Sequence, residues 1–493
     1  MKKPNAFIIL ASSLLWLLVG GQLRAEVTLP KVLGDNMVLQ RHKPLPIWGA
    51  AAPGEKVIVA FGNQTHTTIA DAAGQWKVTL APLPASARPA TLTIAGTNKI
   101  TLENILVGEV WLCSGQSNME YSMNKSSKHA QTAKSQGLTL EEFKKVNHTN
   151  IRVFLVKRDL NKPGNINKGW QEADYENLKD FSAAGYFFAE KLQQELKVPV
   201  GIISSAISGS RIEPWISAEA FASSSHFNSV QTAPLQQVDG SETGKFYYGM
   251  IQPLAPFALQ GFLWYQGESN CFLNETTRYT QKMQVLITSW RQAWHDDKLS
   301  FYYVQIAPFY YSRSTGGDRT HTVENLAEFR EAQTAALVLP HTGMVVTTDL
   351  VDNLEDIHPT YKWEIGRRLA LIALAKNYKQ QKVTYSGPQY RQMQVKKNKV
   401  VLSFSHTGSG LTSQDGKPLT FFTLAGPDGK FVPAEAVIKG NKVVVSAKTV
   451  DKPIAVRFAW HEAAQPNLFN KGGLPAVPFR TDSPLLLGEL AKE

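Results

Sequence analysis

The chain has 493 residues, 43% hydrophobic, 10% aromatic and 19% charged, enough apolar material to bury several cores, which excludes global disorder. With 35 Gly, 26 Pro and only 2 Cys, collagen-like and disulfide-scaffold classes are excluded as well. The formal charge of +11 raises nucleic acid as a partner, and at ~100–200 residues per domain the length suggests two to four domains.

Residues 1–25 carry a three-part export pattern. Lys2 and Lys3 precede a mostly apolar run over 7–19, then Gly20 and Gly21, then Leu23-Arg24-Ala25 before Glu26. The run is shorter than the ~20 residues of a spanning helix, so a cleaved signal peptide is expected rather than an anchor. The expected product is exported, periplasmic or extracellular, with no membrane span in the mature protein. Cleavage would remove Lys2, Lys3 and Arg24 and no acid, leaving an excess of eight positive charges. Those charges are scattered, with no basic run beyond pairs such as Lys144-Lys145 and Lys396-Lys397. A solvated basic surface is therefore expected, and no nucleic-acid partner.

Residues 26–105 read as a small β-sandwich module. β-prone runs at 57–61, 76–80 and 90–94 are separated by Pro53-Gly54, Ala73-Gly74 and Gly96-Thr97-Asn98. Residues 106–382 alternate strand and helix patterns. Strands are expected at 106–113, 199–204, 258–265, 300–306 and 344–348, and helices at 183–196, 279–294, 327–337 and 363–375. That alternation predicts a parallel, doubly wound α/β core. Residues 383–493 return to β patterning, with strands at 399–404, 442–446 and 455–460 and turns at Pro427-Asp428-Gly429 and Gly440-Asn441.

The chemistry-bearing segments follow the expected core strands, where ligands bind in open α/β sheets. The first is Cys113-Ser114-Gly115-Gln116-Ser117-Asn118-Met119, where a Ser at the strand end can present its Oγ beside turn N–H groups. It lacks the Gly-x-Ser-x-Gly elbow, because Met119 takes the last position, which argues against an ordinary α/β-hydrolase. The second, Ser208-Gly209-Ser210-Arg211-Ile212-Glu213-Pro214-Trp215, offers a Gly209 N–H. The third, Trp264-Tyr265-Gln266-Gly267-Glu268-Ser269-Asn270, offers the Gln266 amide. The fourth, Glu355-Asp356-Ile357-His358-Pro359, places a base and a carboxylate in one loop. Cys113 and Cys271 each lie within four residues of such a segment; they form either a disulfide or two buried free thiols, and neither has a helix-start or His context for a nucleophile.

Together these segments resemble the sialate O-acetylesterase family within the SGNH, or GDSL-like, hydrolases. The markers are 110–119, Ile212-Glu213-Pro214-Trp215, 264–270, Asp356-Ile357-His358-Pro359 and the tail Asn467-Leu468-Phe469-Asn470 with 473–482. The resemblance implies an SGNH (flavodoxin-like) three-layer α/β/α core between N-terminal and C-terminal β-sandwich-like modules. It implies Ser117 as nucleophile and His358 as base, with the Ser117 and Gly209 N–H groups lining an oxyanion hole and Gln266 standing where many relatives carry an Asn donor. The acid partner is Asp356 or, at the spacing usual in SGNH enzymes, Glu355. Arg211, Glu268 and Asn270 are expected to bind substrate, Arg211 through a sugar carboxylate.

The implied activity is a secreted carbohydrate O-acetylesterase that hydrolyses acetyl esters of sialic acid through an acyl-enzyme, on an O-acetylated sugar or glycan. No metal or cofactor is expected. An esterase of acetylated plant polysaccharides such as xylan, and a non-catalytic carbohydrate-binding protein, are the alternatives.

Overall fold

The structure is a computed structural model that describes residues 26–129, 137–158, 165–166, 168–227, 236–314, 320–483 and 485. The expected signal peptide lies outside the described residues.

The core is one twisted mixed sheet. Its strands lie side by side in the order Trp170–Asp174, Asn147–Leu155, Val200–Ala206, Lys99–Gly115, Gly261–Tyr265, Ser300–Val304 and Thr342–Val345. All pairings are parallel except that of the edge strand Trp170–Asp174, which runs antiparallel to Asn147–Leu155. The inner strands are buried along their whole length, the pattern of a sheet covered on both faces. Alternation along Lys99–Gly115 shows the two sides. Val110 and Leu112 join one apolar cluster, with Met283 and Phe329. Trp111 and Cys113 join the other, with Phe188 and Leu369. Helices Thr277–Ala293 and Asn325–Ala335 thus cover one face, and Ala183–Leu196 and Lys362–Lys376 the other.

Lys99–Gly115 is a single 17-residue strand that serves two regions. Its first half pairs antiparallel with Ser86–Ala95 and parallel with Val38–Gln40, inside the N-terminal β region. Its second half lies between Val200–Ala206 and Gly261–Tyr265 in the core sheet. The expected boundary between residues 105 and 106 falls inside this strand. Apolar side chains of the N-terminal region, such as Val59, Trp76 and Ile94, belong to the same buried cluster as Phe262 and Trp290.

The C-terminal residues form two antiparallel four-stranded sheets around a third cluster that includes Leu402, Val443 and Val456. This region is tied to the core by Arg457 with Glu324 (2.9 Å), Arg480 with Glu331 (2.8 Å), and Glu462 with Ser312. No helix among the described residues is long and apolar enough to cross a membrane.

The two cysteines are free and buried, so the disulfide alternative is overturned. Cys113 belongs to one core cluster and Cys271 to the other, with the sheet between them. Burial pushes the Cys113 thiol up to about 12, the opposite of what a nucleophile needs.

Candidate active site

The strand order reverses at Lys99–Gly115, whose neighbours are reached by connections running in opposite directions. A crevice forms at such a switch point, beyond the carboxyl ends of the strands. Gly115 ends the strand with φ +140°, and a Cβ there would lie 2.1 Å from the Tyr265 carbonyl. Only glycine lets the chain turn so tightly against the neighbouring strand. The turn delivers Ser117 to the start of a one-turn helix, Ser117–Glu120, on the wall of a cleft of about 820 Å³.

His358 Nε2 stands 3.0 Å from Ser117 Oγ. On the other side of the ring, Nδ1 is 3.3 Å from Asp356 Oδ1, and that same oxygen accepts the His358 backbone N–H at 2.8 Å. Nε2 facing a hydroxyl and Nδ1 facing a carboxylate assign the tautomer with its proton on Nδ1. Glu355 is turned outward, 72% exposed, and pairs with Arg313 at 3.2 Å. Burial, then the Lys362 and Lys125 ammonium groups, hold His358 below its ordinary value of 6.5 against the opposing pull of Asp356. The imidazole is therefore neutral and able to accept a proton near pH 7.

Gly209 also lines the cleft, in a turn closed by the Ser210 N–H to the Ile207 carbonyl, with φ +70°. The turn is pinned by Glu120, which accepts the Ser208 N–H (2.7 Å) and hydroxyl (2.5 Å), and by Ser269, which donates to the Gly209 carbonyl (3.1 Å). Among the described residues, neither the Ser117 nor the Gly209 N–H has a hydrogen-bond acceptor.

Three expected contacts lie elsewhere. Gln266 is fully buried and does not face the cleft. Its amide donates to Asn270 Oδ1 (2.7 Å) and the Ser210 carbonyl (3.3 Å), and its oxygen accepts from Tyr279 (2.9 Å). The oxyanion role expected of it is therefore corrected: the longer Gln arm reaches past the cleft wall and is spent inside the core. Arg211 and Asn270 belong to a largely buried ionic cluster behind the Gly209 turn. Arg211 donates to Glu213 (2.5 Å), Glu275 (3.4 Å) and the Asp239 carbonyl (2.9 Å), and does not line the cleft. Asn270 receives the Ile212 N–H (3.0 Å) and donates to Glu213 and Glu275. The contacts expected of Arg211 and Asn270 with substrate are corrected accordingly. Glu213, Asp239 and Glu275 lie close enough together to hold a cation, but the Lys282 ammonium occupies their centre, 2.6 to 2.8 Å from each. A fixed ammonium answers the carboxylates there, and the cluster anchors the segment behind Gly209.

Glu268 does line the cleft, and burial raises its carboxyl above the ordinary range. Asn118, Lys362, Glu120 and Lys125 do not stand out in the sequence. Lys362 carries one usable signal: a lysine opening a helix opposes the helix dipole and needs a local reason.

A family model described as carbohydrate esterase, sialic acid-specific acetylesterase, matches residues 107–375. The sialate O-acetylesterase of Homo sapiens is 27% identical over 496 residues, covering 91% of each chain. That of Mus musculus is 27% identical over 515 residues, covering 90% of this chain and 92% of its own. Among solved structures, a carbohydrate acetylesterase from Xanthomonas citri is similar with a TM-score of 0.80 and 36% identity, across 93% of this chain and 100% of the other. The family match spans more than half of the sequence and contains Ser117, Gly209 and His358, and on it the chain belongs to the carbohydrate esterases of the sialic acid-specific acetylesterase family.

Proposed function

We propose that this esterase is exported and removes acetyl groups from O-acetylated sugars, with O-acetyl sialic acid as the preferred substrate, on an SGNH three-layer core flanked by two β modules. The observation that carries the reading is the 3.0 Å approach of His358 Nε2 to Ser117 Oγ in an open cleft. It also argues against a purely carbohydrate-binding protein, which has no use for a base held on a serine.

In the mechanism, His358 takes the Ser117 proton as Oγ attacks the acetyl carbonyl. Asp356 orients the ring and offsets the charge of the imidazolium. The Ser117 and Gly209 N–H groups receive the oxyanion. The carbonyl re-forms as the bond from the acetyl carbon to the sugar oxygen breaks, and His358 protonates the departing sugar oxygen to the free hydroxyl. Water, deprotonated by His358, then attacks the acetyl-Ser117 ester, and acetate leaves as Ser117 regains its proton. Side chains, backbone and water complete this cycle.

The preference for an acidic sugar rests on Lys125. It lines the cleft next to Ser117 and His358, and its ammonium lies 4.6 Å from the Tyr121 ring centroid. Lys125 thus takes the carboxylate-binding part first expected of Arg211. The test is acetate release from 9-O-acetyl sialic acid and from acetylated xylan by wild type and Ser117→Ala. Release by wild type that is abolished by S117A supports the reading. Equal release by both proteins ends it, and faster turnover of xylan ends the sialate preference.

A further inference from the structure

His358 is half-buried and its partner Asp356 is 54% exposed, so the contacts across the cleft do not by themselves explain what holds the ring on Ser117. The support lies behind the loop. The carbonyl before His358, that of Ile357, accepts Asn118 Nδ2 at 3.0 Å. The carbonyl after it, that of Pro359, accepts Lys362 Nζ at 2.7 Å. Lys362 Nζ also donates to Asn118 Oδ1 at 2.6 Å, so the two holds are joined. Asn118 Nδ2 donates further to Glu268 Oε1 at 2.5 Å, and with acceptors on one side and an ammonium on the other the amide has a single orientation. Asn118 is covalently next to Ser117. The nucleophile and base are therefore tied through a closed circuit of hydrogen bonds built on two side chains, Asn118 and Lys362, that do not line the cleft.

The choice of residues is costly for a simple loop anchor. Asn118 and Lys362 are both 0% exposed, and a buried ammonium is expensive unless well paired. Lys362 has two oxygen acceptors and faces the Tyr121 and Tyr265 rings at 4.7 and 5.2 Å. Glu268 lies on the far side of the Asn118 amide, so carboxyl and ammonium are bridged rather than in contact.

We propose that Asn118 and Lys362 are positioning residues for His358, setting the distance between base and nucleophile by gripping the two peptide carbonyls that flank the histidine. The proposal rests on the esterase reading above, in which Ser117 and His358 react.

The test uses the full chain with p-nitrophenyl acetate, counting reactive Ser117 by titration with a fluorophosphonate. In Asn118→Ala and Lys362→Met, kcat per titrated site is expected to fall about 10–100-fold, the cost of displacing a catalytic group by a fraction of an ångström to an ångström. KM is expected to stay within about threefold, because the substrate contacts remain. Lys362→Arg, which keeps donors for both oxygens, is expected to recover part of the loss. A purely structural role gives a different result: fewer titratable sites or a lower Tm, with wild-type kcat at each remaining site, and that outcome overturns the proposal. Where the alanine and methionine variants do not fold, Asn118→Asp, which loses the donor to the Ile357 carbonyl, decides, and wild-type kcat per site in it overturns the proposal. Wild-type turnover by S117A would instead sink the esterase reading itself, and is read separately.

Discussion

Two polar regions flank the same cleft and are built in opposite ways. Ser117, His358 and Asp356 form an open row with contacts of 3.0 and 3.3 Å, its carboxylate more than half exposed. Behind the Gly209 turn, Arg211, Glu213, Asp239, Asn270, Glu275 and Lys282 form a closed cluster in which Lys282 and Glu213 are fully buried and 2.6 Å apart. The row must stay open, because an ester and then a water have to reach it. The cluster has no such duty and can commit its charges to one another for rigidity. On the proposed mechanism, the groups that react are loosely self-supported, and their placement depends on groups that do not line the cleft.

The sharpest way to break this contrast is at its reacting end. Ser117→Ala is expected to lower kcat by roughly four orders of magnitude or more with Tm almost unchanged, read by acetate release and thermal unfolding. The closed cluster should behave in reverse. Lys282→Met removes the buried ammonium that Glu213, Asp239 and Glu275 share and should cost about 3–5 kcal/mol in denaturant unfolding, as removal of one buried partner does. A large loss of kcat in K282M with stability intact would reverse the assignment of roles.

Smaller effects sharpen the description of the row. Asp356→Asn is expected to lower kcat about 10–100-fold, less than for an enclosed triad acid, because the 3.3 Å contact is partly solvated. Glu355→Gln should leave kcat within about twofold, since an exposed ion pair contributes little. The lower limb of kcat/KM should lie below the ordinary histidine value of 6.5, because burial and the two ammonium groups favour neutral His358. Removing Asp356 takes away the group that raises His358, so in D356N the limb moves to still lower pH. Lys125→Met removes one that lowers it, so there the limb moves up. K125M should also raise KM for the acidic sugar by up to about fivefold and leave that for p-nitrophenyl acetate alone, the size of a solvent-exposed charge pair.

The strand-helix alternation is legible in the sequence because buried parallel strands read as short apolar runs and the helices carry a clear 3.6-residue period. The helix at Ala183–Leu196 has the ends its pattern predicts. The strand Asn147–Leu155 is not legible, because its first half, Asn147-His148-Thr149-Asn150, is polar and only partly covered. Ser117, Gly209 and His358 are visible as strand-end motifs. Gln266 and Arg211 look equally functional, since a one-dimensional motif cannot tell which side of a loop faces the cleft. Some of the partners that redirect them, Tyr279 for one and Glu275 for the other, lie beyond the motifs in sequence. Asn118 sits within a motif without a visible role, because its contacts with Ile357 and Lys362 close only in three dimensions.

The 17-residue strand that ends in Gly115 has a practical consequence for anyone who would trim or graft this enzyme. A fragment beginning at residue 106 would lack the strand's leading half, strip Val38–Gln40 and Ser86–Ala95 from its side, and remove Val32, whose carbonyl accepts the buried Trp170 indole N–H. Truncation there invites edge-to-edge aggregation, since it leaves a strand with unpaired backbone groups. The N-terminal region is better treated as the mounting of the strand that leads to Ser117 than as a detachable accessory, and fusions belong at its outer end, near Glu26.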